Sequence, residues 1–174
     1  MRTAKLFLAT VLKFLFFSLY SLCISGCFLI PQNSEIVNTP YKEYLGSATP
    51  ANYQKIVEEV LLDHNYHIES FDNSQTGTFI TTRWNVRAPY PLELELGYQD
   101  AKTKIKIIGA IDTESFSSIN NYRYDCYIEV KNLVYNGRTY IEFYESPTLK
   151  QKMDSISKII SNKFELASQL RDSF

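Results

Sequence analysis

Few side chains in this chain are suited to chemistry, and their spacing decides what they could do. Cys27 follows Ile24-Ser25-Gly26. A thiol is the most nucleophilic side chain available here once ionised. The two histidines, His64 and His67, lie three apart in Asp63-His64-Asn65-Tyr66-His67. That spacing suits two ligands on one helical face. A strand is expected to begin at His67, however, and no cysteine accompanies the pair. The plainer reading is a helix end, where a histidine complements the C-terminal dipole. Asp100, Asp112 and Asp125 fall at expected strand ends, and an acid/base pair would need two of them in one cleft. With six glycines the chain has no Gly-x-Ser-x-Gly elbow and no phosphate-cradling loop. No catalytic residue, metal ligand or cofactor site is expected.

Two features suit binding. Arg83, Trp84, Arg87 and Tyr90, with Pro89 and Pro91 around Tyr90, combine cations and aromatics in one segment. Such groups stack on sugar rings or anchor a protein partner. Trp84 also shares parity with Ile80, which makes it a core residue of a strand instead. Phe116 and Ile119 sit in a Ser/Asn-rich stretch, 113–122, expected to be a long loop on a rigid sheet.

Composition narrows the class. The 174 residues, 45% of them hydrophobic, suffice for one domain with a core. Eighteen basic against 19 acidic residues exclude a nucleic-acid binder that works by bulk electrostatics. Charged residues at 21% and aromatics at 14% exclude a largely disordered chain. Three cysteines do not frame a disulfide-stapled miniprotein.

The first 26 residues read as a signal peptide. Arg2, Lys5 and Lys13 are followed by eleven uncharged residues, Phe14 to Ile24. As a helix these rise about 16 Å, short of a bilayer core of about 30 Å. A span extended to Ile30 would bury Lys13 at a cost of roughly 2.5–3.5 kcal/mol. An uncleaved anchor is the alternative. Ile24-Ser25-Gly26-Cys27 resembles the lipobox of bacterial lipoproteins. The resemblance implies a diacylglycerol on Cys27, cleavage before it, and attachment to a membrane through that lipid. Cys23 is a second candidate position, but Ser21-Leu22 before it fits less well. The same resemblance implies, from Phe28 standing where Asp would retain the protein, sorting to the outer membrane if the cell has two. Cleavage and lipidation would leave Cys126 as the one remaining thiol, expected as a small buried residue in a strand. Without Arg2, Lys5 and Lys13 the remainder carries 15 basic and 19 acidic residues. That mildly acidic balance argues against electrostatic docking onto anionic lipid.

The elements that must position these residues follow from periodicity. Residues 27–48 read as a lipidated cysteine and tether, broken at Pro31 and Pro40, though Tyr41, Tyr44 and Leu45 are apolar enough to fold back. Residues 49–174 read as one domain. Thr49-Pro50 starts a helix with a stripe at Tyr53, Ile56, Val57, Val60, Leu61 and His64. A first hairpin spans Tyr66 to Trp84 over Asn73–Gly77. Leu92, Leu94, Leu96 and Tyr98 alternate with Glu93 and Glu95, predicting a strand that turns at Ala101-Lys102 into Ile105 and Ile107. Asn136-Gly137 predicts a two-residue hairpin turn pairing Leu133 with Tyr140, Lys131 with Glu142 and Val130 with Phe143. Ser146-Pro147 starts a closing helix of about 22 residues.

The expected fold is therefore α+β: a six-stranded antiparallel sheet of three hairpins, with an N-terminal and a long C-terminal helix on one face. Tyr53 to Trp84, a helix leading into a hairpin with Gly77 near its turn, resembles the helix-and-sheet modules of envelope-assembly lipoproteins. The expectation is a lipid-anchored, non-catalytic scaffold or interaction module of the cell envelope, most naturally at the outer membrane, with a protein partner there. The alternative is a small-molecule or lipid carrier, which needs a closed apolar pocket of at least about 300 Å³ between helix and sheet.

Overall fold

Two twelve-residue strands, β5 (Asp100–Ile111) and β6 (Tyr124–Tyr135), pair along their whole length and form the spine of the molecule. The computed structural model describes residues 38–111 and 122–172, with side chains through residue 170. Ile24, Ser25, Gly26, Cys27, Asp112, Phe116 and Ile119 lie outside the described residues. Around the spine are β1 (Tyr41–Ala48), α1 (Pro50–Asp63), β2 (Ile68–Ser74), β3 (Gly77–Thr82), β4 (Asn85–Arg87), α2 (Pro91–Glu95), β7 (Tyr140–Glu142) and α3 (Pro147–Asp172). The seven strands form one antiparallel sheet of order β1-β6-β5-β3-β2, with β4 paired to β5 and β7 to β6.

Strand alternation divides the sheet into two faces. Ala101, Thr103, Ile105 and Ile107 of β5 point inward with Tyr124, Cys126, Ile128, Val130, Asn132 and Val134 of β6, all buried. The helices cover this face. Tyr53, Ile56, Val57, Val60 and Leu61 of α1 join Leu149, Met153, Ile156, Ile160 and Phe164 of α3 in one cluster with Ile80, Ile105, Ile107 and Ile128. Burying each large apolar side chain contributes about 1.5–3 kcal/mol. The helix ends form where the residue types direct. Thr49 Oγ1 accepts from the Asn52 N–H at 3.4 Å, and Ser146 Oγ accepts from the Leu149 N–H at 3.4 Å. Asn65, at φ 62, closes α1, with the Tyr66 N–H donating to the Leu61 carbonyl at 2.8 Å and the Asn65 N–H to that of Leu62 at 2.9 Å.

Four expectations need correction. The end of the expected tether is a strand: β1 pairs with β6 and buries Leu45 and Ala48, so the sheet has seven strands, not six, and a strand precedes α1. A bulge between Tyr44 and Gly46 turns Leu45 inward, and Gly46 supplies the φ of +101°. The expected strand Leu92–Tyr98 is instead α2 and a turn at Gly97. Pro91 presets the first helical φ, and the Glu93 carboxylate accepts from the Tyr90 N–H at 2.6 Å. The faces are inverted as well: Glu93 is buried, whereas Leu94 and Leu96 are 58% and 54% exposed. The hairpin expected over Ala101-Lys102 is consequently absent. Ile105 and Ile107 do face inward, but opposite Val130 and Ile128.

The last hairpin shifts by two residues. Leu133 pairs with Glu142 and Tyr135 with Tyr140, around a four-residue loop. Asn136 Oδ1 accepts from the Arg138 and Thr139 N–H groups, both at 3.0 Å, and this side-chain turn replaces the two-residue one. A shift of two preserves parity, so Lys131 and Glu142 still meet, at 3.2 Å. Phe143 packs with Ala101 and Val134 rather than opposite Val130. The closing helix reaches 26 residues.

The first hairpin forms nearly as expected, over Gln75-Thr76. Its closing residue, Gly77, has φ +152°, and a Cβ there would stand 2.2 Å from the Gly109 carbonyl oxygen. Gly77→Ala is therefore expected to lower stability by about 1–3 kcal/mol or more, read by urea unfolding. An unchanged midpoint would contradict this close contact of β3 with β5.

Candidate functional site

The segment singled out for binding is divided by the sheet. Arg87 and Tyr90 turn inward, Trp84 turns outward, and Arg83 is exposed. Pairing sets this division: Arg87 stands opposite Ala101, an inward position, and Val86 opposite Lys102, an outward one. The parity that made Trp84 a core residue fails because β3 ends at Thr82, two residues before it.

The inward half is a closed polar network. Arg87 grips Glu93 with both ends of its guanidinium, Nη1 to Oε2 at 2.7 Å and Nη2 to Oε1 at 2.8 Å. Its Nη2 also donates to Asn132 Oδ1 at 2.9 Å and its Nε to Thr103 Oγ1 at 3.3 Å. The Tyr90 ring lies 3.6 Å from the guanidinium. Asn132 donates to the Phe143 carbonyl at 2.7 Å, which leads into β7, and to Glu93 at 3.2 Å. Glu93, Thr103 and Asn132 are fully buried. On β5 and β6 this network lies between the main core at Ile105 and Val130 and a smaller one at Ala101, Val134 and Phe143. With its donors and acceptors used internally, it fastens α2 and β4 to the sheet.

The outward half belongs to a face that no described helix covers. Lys102, Lys104 and Lys106 alternate along β5 there, opposite Leu133, Lys131 and Glu129 of β6. Lys102 Nζ lies 5.1 Å from the Trp84 ring and 3.9 Å from that of Tyr140, and Lys106 Nζ lies 4.6 Å from the Phe79 ring. Three ion pairs cross this face: Lys42–Glu129 at 2.8 Å, Lys131–Glu142 at 3.2 Å and Lys104–Glu69. A groove of about 760 Å³ opens among Lys42, Lys104, Lys106 and Lys131. Periodicity had marked Lys104 and Lys106 as outward. It could not show Trp84, Phe79 and Tyr140 beside them, because two other strands, β3 and β7, and the link between β3 and β4 supply those rings.

The remaining candidates stay apart. His64 caps α1, its Nδ1 2.9 Å from the Val60 carbonyl, and His67 is exposed. Asp100 accepts from the Tyr140 hydroxyl at 2.6 Å. That bond and the Ala101 N–H hold its carboxyl below the usual carboxylate range. Asp125 accepts from Ser47 and Tyr44 at the other end of the sheet. Asp100 and Ala110, the partner of Asp125, are ten residues apart on β5, about 33 Å, so these two carboxylates share no cleft. Among the described residues, no three His, Cys, Asp or Glu side chains gather as metal ligands. Cys126 is buried as expected, and burial first, then Asp125, pushes its thiol up to about 12, far from a reactive thiolate at neutral pH.

The Glu93–Arg87 pair makes stability depend on pH in a defined sense. Burial pushes the Glu93 carboxyl up, but Arg87, the Tyr90 N–H and Asn132 more than offset it, leaving it below the usual range. A depressed folded-state value contributes stability above the unfolded value of about 4.3 and loses it as pH falls through the folded one. Arg87→Met is expected to cost about 3–5 kcal/mol by leaving a buried carboxylate unpaired. It should also reverse the pH slope, because protonating Glu93 would then relieve the buried charge. Chemical denaturation between neutral pH and pH 3 reads both effects, and parallel curves for the two proteins would contradict the account.

No protein-family model matches this chain, and no curated protein is similar to it.

Proposed function

We propose that this chain is a lipid-anchored lipoprotein of the cell envelope, most naturally of the outer membrane, whose folded body acts as a non-catalytic interaction module for an envelope partner. The observation that carries the functional half is the uncovered sheet face, where Lys102, Lys104 and Lys106 stand in a row and the rings of Trp84, Tyr140 and Phe79 lie beside them. Tyr and Trp on a rigid sheet are side chains that interfaces favour, and a row of lysines around them supplies the charge that steers a complementary partner. The anchoring half is supported by Ile24-Ser25-Gly26-Cys27 behind a charged and then apolar leader. The carrier alternative is not favoured: Tyr53, Leu61, Ile107, Ile128, Met153 and Ile156 pack between helices and sheet, and the clefts of about 480 and 430 Å³ beside the helices are open and half polar.

The test is intact mass of the membrane-fraction protein, with and without Cys27→Ser. The native protein should lack residues 1–26 and carry acyl chains on Cys27, and the variant should keep Met1 and carry none. A native protein that leaves broken cells in soluble form with Met1 attached would overturn the proposal.

A further inference from the structure

The groove on the open face sits where the chain enters the folded body. Thr39, Pro40 and Tyr41 line it together with the lysines. Asn38 secures this entry: its Nδ2 donates to the Glu142 carbonyl at 2.9 Å, and its Oδ1 accepts from the Tyr144 N–H at 2.8 Å. Thirteen residues lead from Cys27 to Pro40, so a lipid on Cys27 would hold this entry within about 45 Å of its bilayer.

Charge is distributed unevenly. The whole chain is close to neutral, yet the groove is lined by Lys42, Lys104, Lys106 and Lys131 against Glu129 and Glu142. Among the described residues neither Lys106 nor the neighbouring Lys102 closes an ion pair: Glu129 stands opposite Lys106 and Asp100 lies near Lys102, but both ammonium groups rest on rings. Val86, 64% exposed, adds an aliphatic side chain beside Lys102. Cations, a Trp, a Tyr and an exposed aliphatic side chain on one flat face are what the headgroup layer of a membrane accommodates. A net charge near −4 after cleavage argues against docking to anionic lipid only if charge is spread evenly, and here it is not.

We infer that the end of the open sheet face bearing Trp84, Tyr140 and this groove rests on the anchoring bilayer, the groove receiving the phosphate of an anionic phospholipid headgroup. This rests on the lipid-anchored reading above and names the first partner of the same face. Each lysine near an anionic surface contributes roughly a fivefold preference, which salt screens.

Trp84 is the one tryptophan of the chain, so its fluorescence reports on this surface alone. The full acylated protein is reconstituted in phosphatidylcholine vesicles with and without phosphatidylglycerol, using brominated acyl chains as quencher. Trp84 should be quenched more strongly with phosphatidylglycerol, and the difference should disappear at high salt. Lys102→Glu with Lys106→Glu should abolish it and Lys106→Arg should retain it. Should the charge-reversed protein fail to fold, the salt titration of the native protein decides alone. Quenching that is equal with both lipids in vesicle-bound protein overturns the inference and leaves the anchoring intact. Failure to co-sediment with any vesicle overturns both.

Discussion

The pairing of β5 with β6 is the constraint on which the rest depends. Twelve residues of each strand run antiparallel from Asp100 opposite Tyr135 to Ile111 opposite Tyr124. Alternation then assigns every residue of both strands to a face. Ile105, Ile107, Ile128 and Val130 become the floor on which two helices pack, and Lys102, Lys104, Lys106 and Lys131 become the opposite surface. A slip of one residue would exchange these sets, placing lysines under the helices and isoleucines in water. The cost of burying unpaired ammonium groups makes that alternative inaccessible. Core and surface are thus two readings of one register.

The inner face is not uniformly apolar. Thr103 and Asn132 interrupt it where β4 and α2 must be attached, and Arg87 with Glu93 fills the opening they leave. A buried ion pair is weak evidence for stability by itself, because desolvation offsets the attraction. Its value here is positional. A bidentate fork fixes one geometry, and through Asn132 and the Phe143 carbonyl that geometry reaches the strand bearing Tyr140. The buried network therefore sets, from below, the position of aromatic groups displayed above.

What the sequence disclosed depended on the range of the physics involved. Local signals read well: Thr49-Pro50 and Ser146-Pro147 start helices, the stripe from Tyr53 to Leu61 faces the core, and the first hairpin forms almost where its turn residues place it. Alternation identified the inward faces of Ile105, Ile107 and Cys126. The failures arose where a tertiary partner decided the outcome. Leu92 to Tyr98 alternates like a strand, but Pro91 and the buried Arg87 make Glu93 a helix-capping, inward group. Tyr41–Ala48 has no regular alternation because a bulge shifts its phase, so only its pairing with β6 reveals a strand. The Arg83–Tyr90 cluster was compact in sequence, yet pairing of β4 with β5 turns Arg87 inward while Trp84, in the link before β4, faces outward beside Lys102. Conversely, the lysine and aromatic surface draws on β1, β3, β5, β6 and β7, and no local window contains it.

The division of one strand between core and contact surface is tested most directly by single-cysteine substitution along β5 in the mature protein, where Cys126 is buried. Cysteines at Lys102, Lys104 and Lys106 should react with a thiol reagent within the time of mixing, whereas one at Thr103 should react only as fast as the protein opens. Uniform reactivity across the four positions, or protection of the lysine positions instead, would contradict the account.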